Sequence, residues 1–413
     1  MSDSNRFDRR QWLRAGSAAG ISTWLGHRVA RSANAKTDSG KPAPFQRCIT
    51  LWMQGGPSQM ETFDPKPGTE TGGPLRAVST NVPGMQISET LSGLARYADD
   101  LCVIRSVGSA QGEHERASHL LHTGYERIDS FPRPALGSFV SSSRPTTEVP
   151  GFVTLGGQVY GPAFLGTSHG PFVVSDLGRT IETIRRVHRR SDRLDLLAEL
   201  NQRSDTSRPT ARIRQRTEQI DSVRRLLKSS FADALDVSAE DAATRSRYGE
   251  SDFGRNVLAA RRMLEAGVRY VEVQMPGWDT HVGNVPAVKR LCQQLEPAWI
   301  ALIDDLKSNG LWDDTLILWM GEFGRTPIIN GQNGRDHYPR SIPVTLAGRG
   351  IGGRVIGSTG SDGLDHSEQP SSVADLMYTL MNLMGVDADQ EYTTTFGSPT
   401  SATDGGELIQ GVF

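Results

Sequence analysis

The stretch GRNVLAARRMLEAGVRYVEVQMPG, residues 254–277, reads as a helix running through a Gly turn into a strand, and that change of period sets the fold class. The rhythm continues after it. AVKRLCQQLEPAWIALIDDLKSNGLW (287–312) is a long helix ended by Asn-Gly, DTLILWMGE (314–322) a strand, SIPVTLAG (341–348) another, and PSSVADLMYTLMNLMGV (370–386) a closing helix. Upstream, RCITLWMQGG (47–56) is an apolar strand ending at Gly55-Gly56 and DDLCVIRSVGS (99–109) a second one. HERASHLLHTGY (114–125) has helical spacing, with Gly124 as its C-cap. Strands alternating with helices predict a largely parallel sheet covered on both faces. Ligands then collect beyond the carboxyl ends of the strands.

Composition narrows the function classes. A net charge of −2 gives no basic bias toward nucleic acid. No later run approaches the ~20 apolar residues that a membrane span needs. The N-terminus, RFDRRQWLRAGSAAGISTWLG, pairs Arg9 with Arg10 ahead of a weakly apolar run and ends in SANA, suited to cleavage after Ala35. This reads as a twin-arginine export signal at 1–35, followed by a linker at 36–46 and one domain at 47–413. The leader carries six Arg and two Asp, a net +4, so the remainder would stand at −6. The expected partner is therefore the twin-arginine export machinery, and the expected location periplasmic or extracellular. Residues 181–247 read as a charged helical insertion. The three Cys form no metal-type pair, and Cys48 and Cys102 lie in apolar runs, which favours buried thiols over disulfides.

The polar residues just past the strands carry the chemistry. Gln54 follows the first strand. Glu113, His114 and Arg116 follow the second, Asp279 and His281 the third, and Glu322 the fourth; Arg325 and the Arg335-Asp336-His337 turn come next. Each has a bland reading: Asp279 as a helix N-cap, Asp336 as an Asx-turn residue, His119 and His122 as structural, His366 as a loop residue. Glu322 is harder to dismiss, because a carboxylate past a buried strand wants a cation. Together, Asp279, His281, Glu322, Asp336 and His337 are donors that zinc accepts, with Mg, Mn or Ca as alternatives. Arg116, Arg325 and Arg335 could meet an anionic oxygen. His114 or Glu113 would be the acid/base. The combination suits an anionic ester substrate, phosphate or sulfate.

RCITLWMQGGPSQMETFDPKPG, FGRNVLAARRMLEAGVRYVEV, GWDTHVGN, MGEFGRTPIINGQNGRDHYP, AGRGIGGRVIGSTGSDG and GPAFLGTSHGPFVV (161–174) resemble the secreted bacterial proteins of domain-of-unknown-function family 1501. That family is similar in turn to the alkaline phosphatase and sulfatase superfamily. The resemblance implies an alkaline-phosphatase-like three-layer α/β/α sandwich and a divalent metal. It also exposes departures. Gln54 stands where the superfamily has its first metal-binding Asp, Glu322-Phe323 where it has Asp-His, and Gly112 at the position of the sulfatase nucleophile, with Ser109 out of register. Two functions follow: a metal-dependent ester hydrolase, or a non-catalytic cell-envelope binding protein that keeps the fold.

Overall fold

The computed structural model describes residues 45–413 apart from 147, 190–219, 222 and 395. The expected leader, most of the linker and the middle of the charged insertion lie outside the described residues. The central sheet is built on β1 (Arg47–Met53), β2 (Leu101–Gly108), β3 (Phe152–Leu155), β4 (Phe172–Val174), β5 (Tyr270–Met275), β6 (Thr315–Met320), β7 (Ile342–Ala347), β8 (Arg354–Ile356) and the short β9 (Ser371–Ser372). Its order is β8-β2-β7-β6-β1-β5-β3-β4, with β9 also on β2.

β1 shows why the sheet sits in the middle. Ile49, Leu51 and Met53 join one buried cluster, and Cys48 and Trp52 join another, so alternate side chains pack against opposite layers. A strand covered on both faces must be apolar throughout, as RCITLWM nearly is. On one face lie α3 (Leu177–His188), α4 (Asp252–Glu265) and α5 (Asn284–Ser308). On the other lie α1 (His114–Thr123), α2 (Leu136–Ser143) and α6 (Val373–Leu383). The predicted α/β/α layering is the observed one. Gly124 closes α1 in the left-handed conformation, as expected. Among the described residues, no helix is long and apolar enough to cross a membrane.

The sheet is parallel except at β7, which runs antiparallel to both β2 and β6. The reason is connectivity. A parallel neighbour needs a crossover of a dozen or more residues, usually through a helix. Between β6 and β7 the chain makes only a loop and a two-stranded ribbon, Gly324–Arg325 against His337–Tyr338. It therefore re-enters the sheet from the edge it has just left. β1, β2, β5 and β6 run in one direction and finish on that edge, where β7 begins.

The three cysteines are free and buried. Burial pushes the Cys48, Cys102 and Cys292 thiols each up to about 12. Thiolate is the reacting form, so none should label with iodoacetamide at pH 8 in the native protein, and all three should in guanidinium. Mass spectrometry of the two samples checks this.

Candidate functional site

Four loops meet at the shared edge. The loop after β1 carries Gly55 and Gly56 at φ +114° and +85°, and both need glycine. A Cβ on Gly55 would lie 2.3 Å from the Asp279 nitrogen, and one on Gly56 would lie 2.5 Å from the Phe323 ring. This lets the backbone become part of the site: the Gly55 N–H donates to Glu322 Oε1 at 2.8 Å. The loop after β5 is tied to the same turn by the Trp278 N–H, which donates to the Gln54 carbonyl at 3.1 Å. Its far side is stitched to the Arg-Asp-His loop, where Arg335 N donates to Thr280 O at 3.1 Å and Gly283 N to Gln332 O at 3.1 Å.

These ties bring three imidazoles around one carboxylate. His281 Nε2 lies 3.1 Å and His337 Nε2 3.2 Å from Asp279 Oδ1, and His114 Nε2 lies 3.4 Å from Asp279 Oδ2. His281 Nε2 and His337 Nε2 are 3.0 Å apart. Donor atoms of His114, Asp279 and His337 all fall within 4.8 Å of one another. Each imidazole is held at its other nitrogen by an oxygen: His114 Nδ1 by Glu322 at 2.8 Å, His281 Nδ1 by Asp336 at 2.7 Å, and His337 Nδ1 by the Gly112 carbonyl at 2.7 Å. An ionised carboxylate or a carbonyl can only accept, so each Nδ1 carries the proton. In the neutral rings, every Nε2 is then a lone pair turned toward Asp279. This is the orienting arrangement typical of metal-binding histidines.

The electrostatics agree. Burial would raise the Asp279 carboxyl, but the hydrogen bond and charge of Arg325 overrule it and hold it at about 2. Burial pushes His337 below the usual imidazole range, which favours the neutral ligand form. The Glu322 hydrogen bond moves His114 the other way, above that range. In their neutral forms His281 and His337 thus point lone pairs at each other with a carboxylate oxygen alongside, a repulsion that a divalent ion, or a proton on one ring, would relieve. Tetrahedral zinc bonds of about 2.0–2.1 Å place neighbouring donors roughly 3.3–3.4 Å apart, slightly wider than the 3.0–3.2 Å between Asp279 Oδ1, His281 Nε2 and His337 Nε2. Glu322 Oε2, buried without a partner, is a further acceptor at the cluster's edge. The residues fit a divalent ion.

Several sequence expectations land elsewhere. Glu113 is not an acid/base: it caps α1, its two oxygens accepting from Glu115 N and Arg116 N at 3.0 Å each. Those bonds keep its carboxyl below the usual range. Asp279 is free of the capping role, since α5 starts after Gly283 with no side-chain cap. Asp336 orients His281 rather than joining the donor set, and Glu322 does the same for His114 through Oε1. His114, expected as acid/base, does stand at the cluster, its Nε2 3.4 Å from Asp279 Oδ2. Arg325 and Arg335, expected on the substrate, are fully buried. Arg325 is spent on the Gly55, Gly56 and Arg335 carbonyls and Asp279. Arg335 donates to Glu61 and to the Thr71, Thr326 and Pro327 carbonyls, using all five N–H groups. Arg116 is exposed, and Gln54 is half-buried at the end of β1. Phe323 is part of the cluster's floor, its ring centroid 4.4 Å from His337 and 5.0 Å from His114. His366 belongs to a separate ribbon with Ser358–Thr359.

Sequence reasoning missed the Gly112 carbonyl and Asn330, whose Nδ2 reaches Asp336 Oδ1 at 3.2 Å. A main-chain oxygen leaves no mark on residue type. The family profile of DUF1501, described as a protein of unknown function, matches residues 45–413. The chain belongs to that family.

Among solved structures, this DUF1501 member is similar to a protein of the alkaline phosphatase superfamily from Vibrio parahaemolyticus, at 12% identity and TM-score 0.41, over 84% of this chain and 68% of that one. It is also similar to the phosphonate monoester hydrolase of Agrobacterium radiobacter, at 13% identity and TM-score 0.35, over 90% and 77%. A sulfatase from Pseudoalteromonas sp. aligns at 13% identity and TM-score 0.35, over 92% and 72%. No curated protein matches the chain.

Proposed function

We propose that this DUF1501 protein is an exported, metal-dependent hydrolase of phosphate or sulfate esters. The observation that carries the reading is the convergence of the His114, His281 and His337 Nε2 atoms on Asp279, each ring oriented by an oxygen at Nδ1. Catalytic metal sites keep three protein donors and an open position. Asp279, His281 and His337, at 3.0–3.2 Å from one another, form that set. A divalent ion held there would polarise the ester oxygen and acidify a water. The Glu322 hydrogen bond holds His114 above the usual imidazole range, and its Nε2 is the base that would take the water's proton. Arg116, exposed in the first turn of α1 two residues after His114, is the cation we assign to the ester's free oxygens. Export rests on the Arg9-Arg10 leader.

The binding-protein reading keeps one observation on its side. Gly112 stands where the superfamily resemblance expects a nucleophile, and its carbonyl is occupied by His337. Water must therefore attack directly, or nothing does.

Metal analysis of protein purified without chelator, followed by aryl phosphates and sulfates assayed with Zn, Mg, Mn and Ca, separates the two. Turnover that EDTA removes supports the hydrolase. Less than about a tenth of an equivalent of any metal, with no turnover, would sink it. Glu322→Gln supplies a finer check. Losing the charge behind His114 should lower metal-dependent turnover about 10–100-fold, read with aryl esters at saturating zinc.

A further inference from the structure

A cavity of about 580 Å³, open to solvent, lies between the loop leaving β2 and the start of α6. That volume falls within the ~300–1,000 Å³ range of small-molecule sites. Gly108 shapes one wall: a Cβ there would lie 2.7 Å from the Arg340 carbonyl oxygen and 3.1 Å from the His366 ring.

The polar groups on the wall are loosely engaged and of both kinds. Arg340 makes a long ion pair, Nη1 to Asp365 Oδ1 at 3.4 Å, with the two side chains 71% and 81% exposed, and also meets the Tyr338 hydroxyl. Ser109 Oγ accepts from Gln111 N at 3.2 Å, which leaves its O–H to donate. Ser371 Oγ reaches only the Gln369 carbonyl, at 3.4 Å. Asp375 is already committed, its oxygens accepting from Ser372 N, Ser372 Oγ and Glu407 N. Donors with spare hydrogen-bonding capacity therefore sit beside the loosely paired Asp365 carboxylate. An anion would meet Asp365 and Asp375 together. An apolar ligand would dehydrate Arg340 and Asp365 with nothing in return. Hydroxyl groups, each both donor and acceptor, suit such a wall.

Short stretches of chain connect the cavity wall to the cluster. Arg340 stands three residues after His337, a reach of at most about 10 Å. Ser109 N donates to the Pro339 carbonyl at 2.8 Å, three residues before the Gly112 carbonyl that holds His337. An ester with its anionic group at Asp279 would lay its alcohol portion toward this cavity.

We propose that the cavity is the subsite for the alcohol half of the substrate, and that this half is a polyhydroxylated ring such as a sugar. Its role in turnover rests on the hydrolase reading, whereas binding needs only the cavity's own side chains. The test is therefore binding by the unesterified sugar: saturation-transfer NMR and calorimetry on the protein in EDTA, with a panel of neutral mono- and disaccharides. At least one sugar should bind saturably. Arg340→Ala and Asp365→Ala, both at exposed positions, should each weaken it about tenfold, the loss of one charged hydrogen bond. No binding across the panel, binding that EDTA abolishes, or binding untouched by both substitutions would overturn the proposal. Sugar binding without any ester turnover would uphold the cavity and remove the hydrolase reading alone.

Discussion

Asp279→Asn should weaken zinc binding by more than about 100-fold, beyond the 10–100-fold that follows loss of an orienting partner. Asp279 is the one residue that all three imidazoles share, through Oδ1 for His281 and His337 and Oδ2 for His114. Asparagine matches its shape and still offers Oδ1 to Arg325, so the loop should hold. What disappears is the negative charge that balances a divalent ion, and one of two donor oxygens. Calorimetric zinc titration of wild type and variant, with circular dichroism to verify folding, measures this. An unchanged zinc affinity would show that the cluster is a hydrogen-bonded network of exposed polar groups. Ester turnover should fall with metal occupancy, and adding excess zinc should restore part of it.

Arg335→Ala should cost about 3–5 kcal/mol of stability, the range for breaking a buried pair from one side. Both Arg335 and Glu61 have no side-chain exposure, and they meet at 2.7 Å. Removing the guanidinium leaves Glu61 charged and buried, and strips donors from the Thr71, Thr326 and Pro327 carbonyls. Those carbonyls anchor the loop that presents Asp336 and His337. Urea unfolding monitored by Trp fluorescence reads the effect directly. A substrate-binding Arg would behave oppositely, with KM raised and the midpoint unmoved. Arg335 sits in the Arg-Asp-His triplet that reads as an anion site in the sequence, so this variant separates the two roles.

Much of the layering was legible because period and burial are local properties. The strand expected at 47–53 is β1, and the helix expected at 287–312 is α5, Asn284–Ser308. Apolar runs such as TLILWM can only be buried on both faces. The direction of β7 was less legible, since it depends on there being a loop rather than a helix between Glu322 and Ser341. Within the site, residue type marked the strand ends but not the division of labour. Glu113, Glu322, Asp279 and Asp336 look alike as carboxylates beyond strands. Glu113 became a cap because its oxygens face the free N–H groups of its own helix. Glu322 and Asp336 became orienting partners because an Nδ1 stands against each.

The sequence by itself determined the doubly covered sheet and the edge on which chemistry gathers, because both follow from the spacing of apolar residues and the polar ends of strands. Only the tertiary structure decided which side chains share a centre. His114, Asp279 and His337 come from three separate segments, the start of a helix, a loop and a ribbon strand, and their approach depends on the Gly55-Gly56 turn and the backbone ties between 280–284 and 332–335. Burial likewise turned two arginines inward. A guanidinium surrounded by carbonyls and carboxylates finds its hydrogen bonds inside the protein, and no pattern of neighbours along the chain records that enclosure.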